Sequence, residues 1–132
     1  MKRVLIALIA TTAIVIGCGS GSRSEPSYSV VSGEAHDCDE GPNASVGINN
    51  SVLKLTGTCE RVLVKGGGNK ITIGAAKRVD IDGGKNVVEI GAADIIRVNG
   101  HGNTINFKKR GVTKKTQDVA SSGDNNTMNQ TD

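Results

Sequence analysis

The chain has 132 residues, with 16 Lys and Arg against 13 Asp and Glu and a formal net charge of +3. It holds one Tyr, one Phe and no Trp, which argues against sites that stack sugars or single-stranded bases on aromatic platforms. Glycine, at 18 residues, is abundant and is not scattered.

Met1-Lys2-Arg3 is a short positive segment, and Val4 to Ile16 is an apolar one interrupted by Thr11 and Thr12. As a helix, the apolar segment reaches roughly 20 Å, short of the roughly 30 Å hydrocarbon core of a bilayer. The pattern is that of a secretory signal and not of a membrane span. It ends in Val15-Ile16-Gly17-Cys18, which resembles a lipobox, with Val15 where leucine is commoner. A small residue before the cysteine suits cleavage by the peptidase, and the thiolate takes the diacylglyceryl group. Residues 1–17 are therefore expected to be a lipoprotein signal peptide, and Cys18 is expected to carry the lipid. An ordinary signal peptide with an incidental cysteine is the alternative. Each buried methylene contributes about 0.8 kcal/mol, so several acyl chains anchor stably.

Residues 18–27 then form a lipidated cysteine followed by a Gly- and Ser-rich tether with a flexible composition. Lys2 and Arg3 leave with the signal, so the mature charge falls from +3 to +1. That weakens any case for a nucleic-acid partner. The expected place is extracytoplasmic, on a bacterial membrane. Gly19 after Cys18 is not an Asp retention signal, so a two-membrane cell would carry the protein on its outer membrane, facing the periplasm.

With Cys18 lipidated, Cys38 and Cys59 remain. An oxidising compartment makes a disulfide the default, closing a loop of about 22 residues and contributing about 3 kcal/mol. The alternative is a metal site built on His36, Asp37, Cys38 and Asp39, but no second ligand cluster at a metal spacing accompanies it. No metal and no cofactor is expected.

The middle of the chain falls into rows of 17. One row runs from Asn69 to Lys85, the next from Asn86 to Gly102, and Asn103-Thr104-Ile105-Asn106-Phe107 opens a third. Asn69, Asn86 and Asn103 coincide, as do Gly74 with Gly91, Ala76 with Ala93, and Gly83 with Gly100. Each row holds two short alternating stretches, such as Ile71-Thr72-Ile73 and Val79-Asp80-Ile81, with one face in and one out. An earlier row containing Leu53-Lys54-Leu55 and Val62-Leu63-Val64 fits with slight slippage, and places Cys59 in the slot of Ala76 and Ala93. Asn126-Thr127-Met128-Asn129 echoes Asn103-Thr104-Ile105-Asn106 after a polar insertion.

A fixed short period of alternating β-branched residues predicts an all-β fold over residues 28–107, a short parallel β-solenoid with coils of about 17 residues. Gly and Asn serve its corners, and equivalent Asn side chains stack into a ladder. An antiparallel β-sandwich of hairpins is the alternative, although sandwich strands have no reason to match at 17.

The run from Val52 to Cys59, then Val62-Leu63-Val64, Gly66-Gly67-Gly68-Asn69, Ile71-Thr72-Ile73 and Ile96 to Ile105, resembles the domain-of-unknown-function family 3060. Its members are small exported bacterial proteins, often lipoproteins, with a Val-x-Val-x-Gly-x-x-Asn-x-Val repeat after a Leu-x-Gly-x-Cys element. The resemblance covers roughly residues 36–107. It implies that Cys38 and Cys59 match the family's cysteine pair, and it implies no activity. Phe107 stands where members often have Trp, and the Lys-rich stretch after it is an addition.

β-Solenoids include polysaccharide lyases and pectinases, which need clustered carboxylates on one outer face. Here Asp80 aligns with Arg97 and Asp82 with Asn99, which reads as surface charge pairing and not as a carboxylate dyad fit for acid–base work. Glu89 and Asp94 lie one row on. His101 falls at an exposed corner. The Gly-Gly-x-Gly-x-Asp repeat of calcium-binding solenoids is not matched, and Thr72 and Thr104 do not make an ice-binding array. The strong charge run is Lys108, Lys109, Arg110, Lys114 and Lys115. It is a candidate contact for anionic lipid or envelope polymer, or simply a solvated loop that blunts a sheet edge. Residues 108–132 are expected to be this basic loop and a mostly flexible tail with at most a last half-coil.

The sequence thus points to a non-enzymatic, membrane-anchored envelope module, structural or binding, with an envelope glycan or protein as candidate partner. A glycan-modifying enzyme and an end-to-end assembly module are the alternatives.

Overall fold

The computed structural model describes residues 29–31, 34–113 and 115–132. The expected signal peptide, Cys18 and tether lie outside the described residues, as does Lys114. The strands in chain order are β1 (Ser29–Val31), β2 (Ala35–Asp37), β3 (Asn43–Val46), β4 (Val52–Val64), β5 (Lys70–Ile81), β6 (Val87–Asn99), β7 (Thr104–Lys108), β8 (Asp118–Ser122) and β9 (Thr127–Thr131). Their order in the sheet is β1-β3-β4-β5-β6-β7-β9, with β2 pairing β4 and β8 pairing β6. Every one of these pairings is parallel.

Consecutive strands that pair in parallel, each directly upon the last, can only wind. The chain is a β-solenoid, and the antiparallel sandwich is set aside. β4, β5 and β6 each run along one flank, bend and continue along the next, so a coil is one long strand and one turn. Adjacent coils step by about 4.8 Å.

The register shows where the 17-residue period holds. Ile71 pairs with Val88, and Val88 with Ile105. Leu53, however, pairs with Ile71, eighteen residues on, while Thr58 pairs with Ala75. The slippage is thus an irregularity between Leu55 and Thr58, where Gly57 takes φ 72°. Ile105 pairs with Met128, because the basic loop is inserted in the final coil. The stretch expected to be mostly flexible tail contains two strands, β8 and β9, which close that coil. Its composition is polar because only a few of its side chains face inward.

Inward positions stack into columns. Leu53, Ile71, Val88 and Ile105 form one, Leu55, Ile73, Ile90 and Phe107 another, and Val64, Ile81 and Val98 a third, all buried. β-Branched side chains suit this pleated, one-sided burial. At the bend the column is small: Cys59, Ala76 and Ala93. Cys38 lies above Cys59 and is joined to it, with Cα atoms 4.9 Å apart. The pair ties the opening turn to the first full coil. Replacing both cysteines with alanine is expected to lower stability by about 3 kcal/mol. Denaturant titration with and without reductant checks this, since a disulfide of no consequence would leave the midpoint unmoved.

In the last coil two of the columns turn polar, while Val119 follows Ile96 and Met128 follows Ile105. Ser121 follows Val98, and Gln130 follows Phe107. Gln130 Nε2 donates to Gln117 Oε1 at 3.3 Å. The end of the core thus combines polar groups with the half-buried Val119 and Met128, a more polar layer than the coils before it, as suits the terminal repeat of a solenoid.

Candidate functional site

The corners come first, because they fix everything that the flanks present. Asn69, Asn86 and Asn103 are buried and form a ladder. Asn86 Oδ1 accepts from Asn69 N, Asn103 Oδ1 from Asn86 N, and Asn126 Oδ1 from Asn103 N, at 3.0, 3.0 and 3.1 Å. Each Nδ2 donates back to a carbonyl of the preceding coil: Ile48, Gly66, Gly83 and Gly100 in turn. Ser51 N opens the ladder by donating to Asn69 Oδ1. One residue before each rung the backbone is left-handed, at Asn50, Gly68, Lys85, Gly102 and Asn125. His101 sits exposed on this corner, bridged to Gly84. The ladder satisfies backbone groups in a turn that strand pairing cannot reach, so these asparagines are structural.

The flank after the bend carries ion pairs. Asp80 accepts from Arg61 Nε at 2.9 Å and from Arg78 Nε at 2.8 Å. Lys77 pairs with Glu60 at 2.5 Å, and Arg97 pairs with Asp118. The expected pairing of Asp80 with Arg97 is therefore corrected. The two are register neighbours, but Asp80 turns towards the arginines of its own and the preceding coil, and Arg97 turns onward to Asp118.

Burial pushes the Asp80 carboxyl up, yet the hydrogen bonds and charges of Arg78 and Arg61 outweigh it and hold the group below the ordinary carboxylate range. A carboxyl depressed on folding stabilises the native state above its unfolded pKa, and that contribution disappears as pH falls through the depressed value. Asp80→Asn should therefore melt below the parent at about pH 7, with the gap closing below about pH 3. Thermal melts at both values check this, and an equal gap at each would contradict it.

The flank before the bend holds a shallow groove of about 350 Å³ over Gly74 and Gly91, lined also by Thr72, Glu89, Asn106 and Lys108. Glu89 is the one carboxylate among its lining residues. A neighbouring hollow on the same flank adds Glu34. β2, β4, β5 and β6 lie in succession between those two carboxylates, a backbone separation of about 14 Å.

Among the proposed metal ligands, Cys38 is spent in the disulfide. The His36 ring donates to the Gly41 carbonyl at 3.0 Å. Asp37 Oδ1 accepts from Asp39 N, and Asp39 Oδ1 from Thr58 N.

The basic run forms a loop against the last coil. Lys108, Lys109, Arg110 and Lys115 are exposed. Asp94, which the sequence offered only as an outer-face carboxylate, and Gln117, which it did not single out, pin this loop. Asp94 is 8% exposed and its Oδ1 accepts from Thr113 N at 2.9 Å. Gln117 Nε2 donates to the carbonyls of Ala93 and Lys108. The available signal was that Asp94 replaces the lysine of the preceding row, Lys77, next to the buried alanine column.

The family model described as "Protein of unknown function (DUF3060)" matches residues 46–94. Over that stretch the chain matches the DUF3060 family model, the family that the repeat resembles. The DUF3060 segment runs from the end of β3 into β6. It takes in Cys59, Asn69, Asn86 and Asp80, and is narrower than the 36–107 over which the resemblance was read. Cys38, Asn103 and the basic loop lie outside it. No curated protein and no solved structure matches the chain.

Proposed function

We propose that this DUF3060-containing protein is an extracytoplasmic lipoprotein, held at a bacterial membrane through Cys18, whose solenoid serves as a non-enzymatic structural or binding module of the cell envelope. The observation that carries the reading is the distribution of the three cysteines. Cys38 and Cys59 close on each other in the fold, which suits an oxidising compartment. Cys18 is then the remaining cysteine, directly after an apolar run and a glycine in the sequence.

The non-enzymatic part rests on the flanks. Asp80, the carboxylate of the flank after the bend that faces two coils, is committed to two arginines. The glycan-modifying alternative would regain ground if hydrolysis of an envelope glycan were detected and then lost on replacing Asp80, Asp82 and Glu89 together with alanine. Ser121 and Gln130 end two of the core columns in polar groups, which weighs against the assembly alternative; sedimentation should show a monomer, and a concentration-dependent oligomer would favour assembly.

The test of location is Cys18→Ala. The parent is expected in the membrane fraction and the variant in the soluble extracytoplasmic fraction. A variant that stays membrane-bound after a salt wash would overturn the lipid anchor.

A further inference from the structure

We infer that the cleft between the basic loop and the last coil binds a phosphate-ester anion with a short apolar portion, as the headgroup region of an anionic phospholipid has. The cleft measures about 510 Å³, within the range of small-ligand sites. Its walls carry Lys109 and Lys115, its floor is Phe107 and Val119, and Gln117 and Gln130 stand at its inner end.

Three facts set it apart from an ordinary basic loop. First, the loop is built and not merely attached. Ala93 N donates to Arg110 O at 2.9 Å and Lys109 N to Thr131 O at 2.8 Å. Asp94 holds Thr113, and Gln117 ties the far end to Ala93 and Lys108. Both lysines therefore project from backbone fixed to the core, so less ordering entropy opposes binding.

Second, no ion pair takes up Lys109 or Lys115 among the described residues, although Asp132 follows the Thr131 that accepts from Lys109 N. The ion pairs of the solenoid use Asp80, Glu60 and Asp118 on the flank. Asp94 faces a backbone N–H of the loop. Lys108 and Arg110, exposed next to Lys109 in the chain, add to the positive charge of the loop.

Third, Phe107 and Val119 bring apolar atoms into an otherwise polar lining. A low-dielectric wall behind two ammonium groups strengthens their attraction for an anion. It also offers hydrocarbon contact that a bare phosphate would leave unused. Lysine reads phosphate as a point charge and does not demand one planar geometry, which suits an ester oxygen presented from a flexible headgroup. The inference goes beyond the envelope reading and stands on the cleft alone, so it does not depend on whether Cys18 is acylated.

The test is calorimetric titration of the full chain with three soluble probes: dihexanoyl phosphatidylglycerol, dihexanoyl phosphatidylcholine and glycerol phosphate. A Lys109→Ala/Lys115→Ala variant, measured in the same detergent, cancels non-specific partition. Dihexanoyl phosphatidylglycerol should bind, and the double variant should weaken it by about tenfold or more. Raising salt should weaken it further. Lys65→Ala and Lys77→Ala, on exposed lysines elsewhere, should change it less than about twofold. Weak binding of glycerol phosphate identifies the lipid headgroup as the source, and equal binding identifies a free phosphate ester. The inference is overturned if phosphatidylcholine binds as well as phosphatidylglycerol, if the double variant binds like the parent, or if none of the probes binds.

Discussion

Replacing Asn86 with alanine is expected to destabilise the protein by about 3–5 kcal/mol. Asn86 is fully buried. Its Oδ1 is the partner of Asn69 N, and its Nδ2 donates to Gly66 O at 2.9 Å and to Asn103 Oδ1 at 3.2 Å. Alanine leaves a donor and an acceptor buried without partners, each costing about 1–3 kcal/mol, and opens a small void as well. The position sets the size of the effect. Asn126, on the last rung, is only half-buried, so water can replace its partners. Asn126→Ala should cost about 1 kcal/mol. Urea denaturation of both variants checks the gradient. Equal effects at the two positions would show that the ladder is not what holds the corner.

The second large effect is expected at Gly83. An added Cβ there would stand 2.2 Å from the Gly66 carbonyl oxygen and 3.1 Å from Asn86 Nδ2. The obstacle is backbone one coil away, and it cannot yield without opening the coil spacing that all neighbouring pairs share. Gly83→Ala should therefore cost about 3–4 kcal/mol. Gly47 is the control. An added Cβ there meets nothing within 4 Å, and Gly47→Ala should stay within about 0.5 kcal/mol of the parent. If the two alanine variants proved equally stable, close stacking at the corner would not be what selects glycine.

Both effects belong to features that the rows of 17 made legible. Because the period repeats, one identity implies a column, and Asn69, Asn86 and Asn103 needed no coordinates to be aligned. The direction of the alternating residues was legible for the same reason: Ile71 and Ile73 must share a face, as must Val79 and Ile81. Cys59 fell into the alanine column because a half-cystine and an alanine fill similar space.

Three kinds of feature were less legible. The bulge at Gly57 shifts the register by one residue, and a one-residue shift in a degenerate motif looks like slippage. The insertion before β8 hid the last coil, because the period is broken and its inward positions include Ser121 and Gln130. Polar residues there mark an end of the core, but alone they resemble a tail. Side-chain choices on the flank were hidden too. Register places Arg97 beside Asp80, yet a carboxylate with two arginines already in reach has no need of a third. The cleft at the basic loop depends on Asp94, a single residue whose row neighbours are charged as well. Its burial follows from the loop folding over it, which no local pattern records.

The cysteines join the fold to the proposed role, so the intact mass of the protein extracted from its native membranes is the most direct measurement. The account predicts a mature chain that begins at Cys18 and carries a diacylglyceryl group, with a mass two hydrogens short of the reduced form for the Cys38–Cys59 bond. A chain that retains residues 1–17, or one that begins elsewhere with Cys18 unmodified, would contradict it.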